Sequence, residues 1–277
     1  MSVVDPTLSH PIRPAFALPG EAIKAGGTPE PGAVVPQEPA GSRAVIAALK
    51  MVKHGEGGYF VETDRDSRRV VNPFHPSYDS GMTRVSTKAC FAETTAMEEE
   101  AAADDGDGGA GGGGGTQQQQ QWTTLTRSAS TSIYYLLTQG RSLGRFHRNS
   151  GRTVHTLHKG RGRYVIIHAD EVVNGIRPKG EARVETYVVG QDVAAGERLQ
   201  WIVEGGKYKA SFLLPDDGGE GGEGEANSSK DGCLISETVV PGFEYADHDF
   251  LKPERLVELV GEERAAELAW LLTKSVE

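Results

Sequence analysis

Ser132-Ile133-Tyr134-Tyr135-Leu136-Leu137, a turn at Gly140, Arg145-Phe146-His147-Arg148-Asn149, and then Val154-His155-Thr156-Leu157-His158-Lys159-Gly160 form the stretch that decides the fold. β-Branched and aromatic residues in short runs, broken by glycine turns, read as successive strands. The same texture continues downstream through Tyr164–His168, Arg183–Val189 after the Pro178–Gly180 turn signal, Leu199–Val203, Tyr208–Leu214 and Leu234–Val240, which ends at Pro241-Gly242. Strands of about six residues at roughly 10–20 residue spacing indicate an antiparallel sandwich or barrel. Helices are expected only at the ends. Ser42 is placed to cap one that runs through Lys53. Pro253 opens another, with Leu256, Leu259 and Val260 on one face and Leu268, Leu271 and Leu272 continuing it.

Outward from this core the composition changes character. Eight of the 14 prolines fall within residues 1–40, without apolar periodicity, and that segment reads as a disordered arm. Of 277 residues 39 are acidic and 29 basic, a formal net charge of −10. The acids are concentrated in residues 92–121 and 216–232, glycine-rich segments that together carry a net −12 and leave the rest at +2. Neither segment holds enough apolar surface to offset its ordering entropy, so both are expected as disordered surface inserts in a single domain spanning 41–277.

Composition also excludes classes. No run approaches the roughly 20 apolar residues of a membrane span, and the N-terminus lacks the features of a signal peptide. Cys90 and Cys233 are too few for a disulfide framework or a cysteine-rich zinc site. A reduced location, cytoplasmic or nucleo-cytoplasmic, is the expectation. A near-neutral body without a basic stripe offers no footprint for nucleic acid.

Further motifs accompany the strands: His54-Gly55-Glu56-Gly57-Gly58-Tyr59-Phe60-Val61-Glu62-Thr63-Asp64-Arg65, Gly205-Gly206-Lys207-Tyr208-Lys209-Ala210-Ser211-Phe212, and Val239-Val240-Pro241-Gly242-Phe243-Glu244-Tyr245-Ala246-Asp247-His248. In this order, and with the opening stretch, they resemble a cupin-superfamily group of bacteria and fungi whose function is unassigned, most closely its fungal members. The likeness runs from about Leu49 to Val260. It implies an all-β double-stranded β-helix, the RmlC-like cupin jelly roll, with short terminal helices, a pocket inside the barrel and a homodimeric state.

Many cupins hold a metal on a His-x-His pair, a following Glu and a later His. Alternate residues of a strand share a face, so His-x-His aims two imidazoles inward. Here the slots read Arg145-Phe146-His147, Thr153 and Lys209, and one ligand of four survives. Positive charge at Arg145 and Lys209 opposes a cation. No cofactor is therefore expected, with a shifted metal set at His147 and His155 as the remaining option. The same replacements suggest a pocket for a small anion, with Arg145, His147, His155 and Lys209 as donors. Tyr59, Tyr135, Trp201 and Phe212 are expected as its apolar wall.

His158 is expected at the surface, His54 and His248 as turn braces, and Glu62 with Arg65 as a salt bridge. Gly57-Gly58 reads as a backbone requirement rather than a phosphate loop. The cysteines lack the basic neighbours of an activated thiolate.

The first functional expectation is a protein that binds a small anionic or aromatic metabolite without a metal. The alternative is a metal-independent enzyme similar to the sugar epimerases and isomerases of this fold. His147 would then be its catalytic base (or His155), with Tyr135 as acid and Lys209 or Arg145 stabilising an enolate. Such a base needs an orienting carboxylate, for which Glu185 is the candidate. A metal-dependent oxygenase or decarboxylase is disfavoured by Arg145, Thr153 and Lys209.

Overall fold

The computed structural model describes residues 12–16, 38–75, 125–216 and 229–273. In chain order the elements begin with α1 (Ala40–Leu49), β1 (Val52–Lys53), β2 (Tyr59–Arg65), β3 (Arg69–Val71), β4 (Thr126–Ser128) and β5 (Thr131–Leu137). There follow β6 (Leu143–Arg148), β7 (Arg152–Lys159), β8 (Gly162–Ile167), α2 (Ala169–Val173), β9 (Val184–Val189) and β10 (Gln200–Val203). The chain closes through β11 (Tyr208–Leu213), β12 (Cys233–Val240), β13 (Asp249–Phe250), α3 (Pro253–Val260) and α4 (Glu262–Leu268).

Two antiparallel sheets make the body: six strands in the order β1-β2-β5-β12-β7-β10, and five in the order β13-β6-β11-β8-β9. This is the antiparallel sandwich that the strand spacing indicates and the all-β jelly roll that the cupin likeness implies. From β5 to β8 and from β9 to β13 successive strands alternate between the two sheets, whereas β1 pairs with β2 and β8 with β9 within one sheet. Residues 68–127 form a separate compact unit. Its described part is a ribbon of β3 and β4, with the Arg127 guanidinium 4.7 Å over the Phe74 ring.

Strand β11 shows why the sheet is buried on both faces. Tyr208, Ala210 and Phe212 point outward into a core completed by Leu256, Leu259, Leu268 and Leu271 of the C-terminal segment. Lys209 and Leu213, on the other phase, point into the barrel, where Leu213 joins Leu137, Leu157, Ile235 and Cys233. Burial pushes the Cys233 thiol up to about 12, with Asp216 adding to the shift. Helices α3 and α4 are therefore amphipathic covers for one sheet.

Several boundaries differ from expectation. Helix α1 starts two residues before Ser42, which is buried within it and caps nothing; Pro39 occupies the N-cap position, and its fixed φ of −50° suits a helix start. The C-terminal helix is two helices, broken at Gly261 with φ +79°. Of the expected disordered arm, Ile12 is 2% exposed in the outer core, and Glu38 accepts hydrogen bonds from Tyr59, Thr138 and the Gly140 N–H. The 92–121 insert lies outside the described residues. Of the 216–232 insert, residues 217–228 lie outside the described residues; at its ends Asp216 accepts from Ser229 Oγ and the Lys230 N–H, and Asp231 pairs with Lys159. Glu62 and Arg65 form the expected bidentate pair, at 3.1 and 2.8 Å. Exposed as they are, they contribute little. No helix among the described residues is long and apolar enough to cross a membrane.

Leu268 is fully buried between α4 and the five-stranded sheet. Truncation to alanine is expected to cost about 2–5 kcal/mol, read as a lower urea midpoint with unchanged slope, without altering the interior of the barrel.

Candidate functional site

The loop between β1 and β2 is where the site begins. Gly57 (φ +121°) and Gly58 (φ +61°) adopt conformations that L side chains rarely take, and a Cβ on Gly57 would lie 1.8 Å from the Leu143 carbonyl oxygen. Four bonds pin this loop against β5 and β6. Arg141 donates to the Gly58 and His54 carbonyls at 2.9 and 3.0 Å, Tyr135 Oη to the Gly57 carbonyl at 3.0 Å, and the Arg145 N–H to the Glu56 carbonyl at 2.8 Å. Glu56 is thereby buried at the polar end of the barrel. Its Oε1 accepts from His248 Nε2 at 2.7 Å, and its Oε2 lies 3.3 Å from His147 Nε2. The two imidazoles stack, with centroids 5.3 Å apart and planes 16° apart. Burial opposes ionisation of Glu56, but the neighbouring histidines outweigh it and hold the carboxyl below its usual range.

His147 arrives through a β-bulge. On β11, Lys209 pairs with His147 and Ser211 with Gly144, so Arg145 and Phe146 together oppose Ala210. Phe146 turns to the outer core and His147 inward. The Arg145 carbonyl accepts from His147 Nδ1 at 2.8 Å. A carbonyl can only accept, so Nδ1 carries the proton and Nε2 is the atom turned toward Glu56. Burial, only partly offset by Glu56, lowers the His147 pKa to about 4.

A second cluster adjoins the first. Lys209 Nζ donates to Glu237 Oε2 at 2.6 Å and to His155 Nε2 at 3.0 Å, and His155 Nε2 lies 3.4 Å from the same carboxylate oxygen. All three are buried. Burial would raise the Glu237 pKa, yet Lys209 and His155 hold it well below the usual carboxylate range. Burial and then Lys209 keep the His155 pKa low. Behind His155 an aromatic stack fills the interior: Trp201 lies parallel to it at 5.1 Å, Tyr164 packs edge-on to Trp201 at 4.7 Å, and Tyr187 stacks on Tyr164.

The expected site residues divide accordingly. His147, His155, Lys209 and Tyr135 meet at the polar end, with Trp201 as packing behind His155. Phe212 does not join them. Three residues after inward-facing Lys209, it falls on the opposite phase and packs edge-on to Trp270 at 5.1 Å. Tyr59 also faces away: Phe60 packs on the inner core, while the Tyr59 hydroxyl donates to Glu38 at 3.2 Å. Arg145 occupies the bulge rather than an inward ladder position, and its guanidinium is half-buried. Glu185 does not orient the barrel histidines; it lies 3.3 Å from His168 Nε2 and from Arg198.

The sequence reading missed Glu56, Glu237 and the convergence of His248. Glu237 had a signal, because it interrupts the inward phase Cys233, Ile235, Val239 of β12. Glu56 and His248 sit outside the long strands and had none. A surface cleft of about 630 Å³, lined by Lys159, Arg161, Glu197 and Asp231 among others, contains none of these residues, and those four charges are paired with one another.

Two facing antiparallel sheets with ionisable side chains gathered inside define a cupin-type jelly-roll barrel. The chain belongs to the family described as Cupin superfamily (DUF985), whose sequence model matches residues 43–251. It is 37% identical over 240 residues to the uncharacterized protein YML079W of Saccharomyces cerevisiae, covering 86% of this chain and 89% of that one. Among solved structures it is similar to a hypothetical protein from Leishmania major, with a TM-score of 0.54, 23% identity and coverage of 84% and 99% of the two chains. Protein SO0799 from Shewanella oneidensis aligns with a TM-score of 0.49, 20% identity and coverage of 86% and 99%.

The Lys209–Glu237 pair sets a stability prediction. Lys209→Met strands a buried carboxylate and is expected to cost about 3–5 kcal/mol, while Lys209→Met with Glu237→Leu recovers most of it. Because the folded pKa of Glu237 is depressed, its contribution is complete above the ordinary value of 4.5 and is lost as pH falls below that. Urea unfolding at pH 7 and pH 3.5 is expected to show a smaller loss in Glu237→Gln than in the parent.

Proposed function

We propose that the polar end of the barrel binds a small metabolite through an anionic, oxygen-bearing group, and that the chain is a small-molecule-handling protein. One observation carries this reading. Glu56, His147, His155, Lys209, Glu237 and His248 come from six different segments and converge in an interior that a purely structural barrel would fill with hydrocarbon. Burying ions costs several kcal/mol each unless they are well paired, and such clusters concentrate at functional sites. The half-buried Arg145 guanidinium, which no carboxylate among the described residues pairs with, is the donor left to meet a carboxylate or phosphate. Lys209 is already engaged by Glu237 and His155, so its part is to hold the cluster and offer its remaining N–H.

Calorimetric titration with small carboxylates, sugar phosphates and nucleotide sugars tests the reading. One-to-one binding of at least one class is expected, weakened about tenfold or more in Arg145→Met without a change in thermal midpoint. Failure of every class, or equal affinity in Arg145→Met, would sink it.

A second reading, proton transfer of the isomerase or epimerase type, is favoured by the carboxylate beside each barrel imidazole. His147, neutral at pH 7 with its Nδ1 proton fixed on a carbonyl, has Nε2 to accept a proton. Tyr135 is a poor acid here, because its hydroxyl proton is committed to the Gly57 carbonyl. Solvent deuterium uptake beside the carbonyl of a bound ligand, abolished in His147→Gln, is the expected signature. Binding without such uptake leaves the first reading alone.

A further inference from the structure

Glu56, His147 and His248 each offer one ligand atom, and these atoms lie within 4.8 Å of one another. From their arrangement we propose that the trio is a binding site for a divalent first-row transition ion. This set does not coincide with the slots at which the cupin likeness places metal ligands, which hold Arg145, Thr153 and Lys209 beside His147. Only His147 is shared, and the other two donors come from the β1–β2 loop and the segment before β13.

Three observations carry the proposal. The first is the hydrogen bonding of His147. With Nδ1–H given to the Arg145 carbonyl, Nε2 is the ring atom turned toward the carboxylate, 3.3 Å from its nearer oxygen. A backbone carbonyl on the distal imidazole nitrogen is also the arrangement that fixes tautomer and orientation in metal-bound histidines.

The second is distance. A charge-assisted hydrogen bond between imidazolium and carboxylate is about 2.7–2.9 Å. The observed 3.3 Å is longer, and it matches the edge of a tetrahedron around an ion with bonds of roughly 2.0–2.1 Å. His248 Nε2 stands 2.7 Å from the other carboxylate oxygen, to which it donates a hydrogen bond whose proton a bound cation would replace, and its ring lies parallel to that of His147, so both Nε2 atoms address one carboxylate.

The third is charge. Glu237 already answers Lys209 at 2.6 Å, whereas among the described residues the ion-pair partners of the Glu56 carboxylate are all imidazoles. His54 is not a fourth ligand, because its Nδ1 accepts from the Glu56 N–H. Two imidazoles and one carboxylate, without thiolates, suit zinc, iron(II) or cobalt(II) better than magnesium or calcium.

This inference does not rest on the metabolite reading, and its test contains no metabolite. Full-length protein stripped with a chelator is titrated with Zn(II) by calorimetry and with Co(II) by visible absorption. One equivalent of each is expected, with a Co(II) ligand-field band. Glu56→Gln and His248→Gln are each expected to weaken binding by more than the roughly 10–100-fold that losing a supporting group costs. His158→Gln, at an exposed histidine, is expected to bind as the parent does. Near-UV circular dichroism identifies folded variants; if one of the two fails to fold, the other decides. Absence of saturable binding in the folded parent overturns the proposal, as does unweakened binding in a folded Glu56→Gln or His248→Gln. Either result leaves the metabolite titration to be judged separately.

Discussion

A lysine from one sheet and a glutamate from the other meet inside the barrel at 2.6 Å, and the rest of the interior is organised around that contact. Neither charge is tolerable alone at that depth, since the desolvation penalty of each ion is several kcal/mol. Together they fix how the two sheets face each other at the polar end, because β11 and β12 must bring Lys209 and Glu237 to the same height. His155 satisfies a second Lys209 donor, and its ring is then held flat against Trp201. Four residues further along β11, at Leu213, the lining is hydrocarbon. The barrel interior therefore passes from an apolar end to a polar end whose charge balance is set by the ion pair.

The bulge in β6 and the glycine loop before β2 work as one device. An extra residue at Arg145 breaks the alternation that would have made Arg145 and His147 parallel, and frees a backbone carbonyl to hold His147 Nδ1. The same residue's N–H holds the Glu56 carbonyl. One irregular peptide thus positions both members of the His147–Glu56 contact. A regular strand would have placed a second inward side chain there instead.

The fold was legible because strand periodicity and turn glycines are local properties. Lys209, His147 and His155 were readable as inward residues from the same periodicity and the cupin likeness. Phe212 was misassigned despite a usable rule, its odd spacing from Lys209, because an aromatic residue beside a pocket motif looks like a wall. Glu237 was legible in principle from β12 phase alone. Glu56 and His248 were not, since their placement depends on a pinned loop and a chain segment brought back over the barrel mouth. No sequence period encodes either. Helix boundaries failed for another reason: Ser42 has the right chemistry for a cap, but Pro39 set the start earlier.

The pinned loop has a kinetic meaning. Glu56 is held by backbone bonds from three side chains or strands, with two glycines whose conformation no other residue adopts easily. The ordering entropy of that loop is incurred during folding, not during association. On the proposed readings, a ligand or ion arriving at the polar end would meet a carboxylate already in place, and its capture would be governed by the stripping of water from the incoming species.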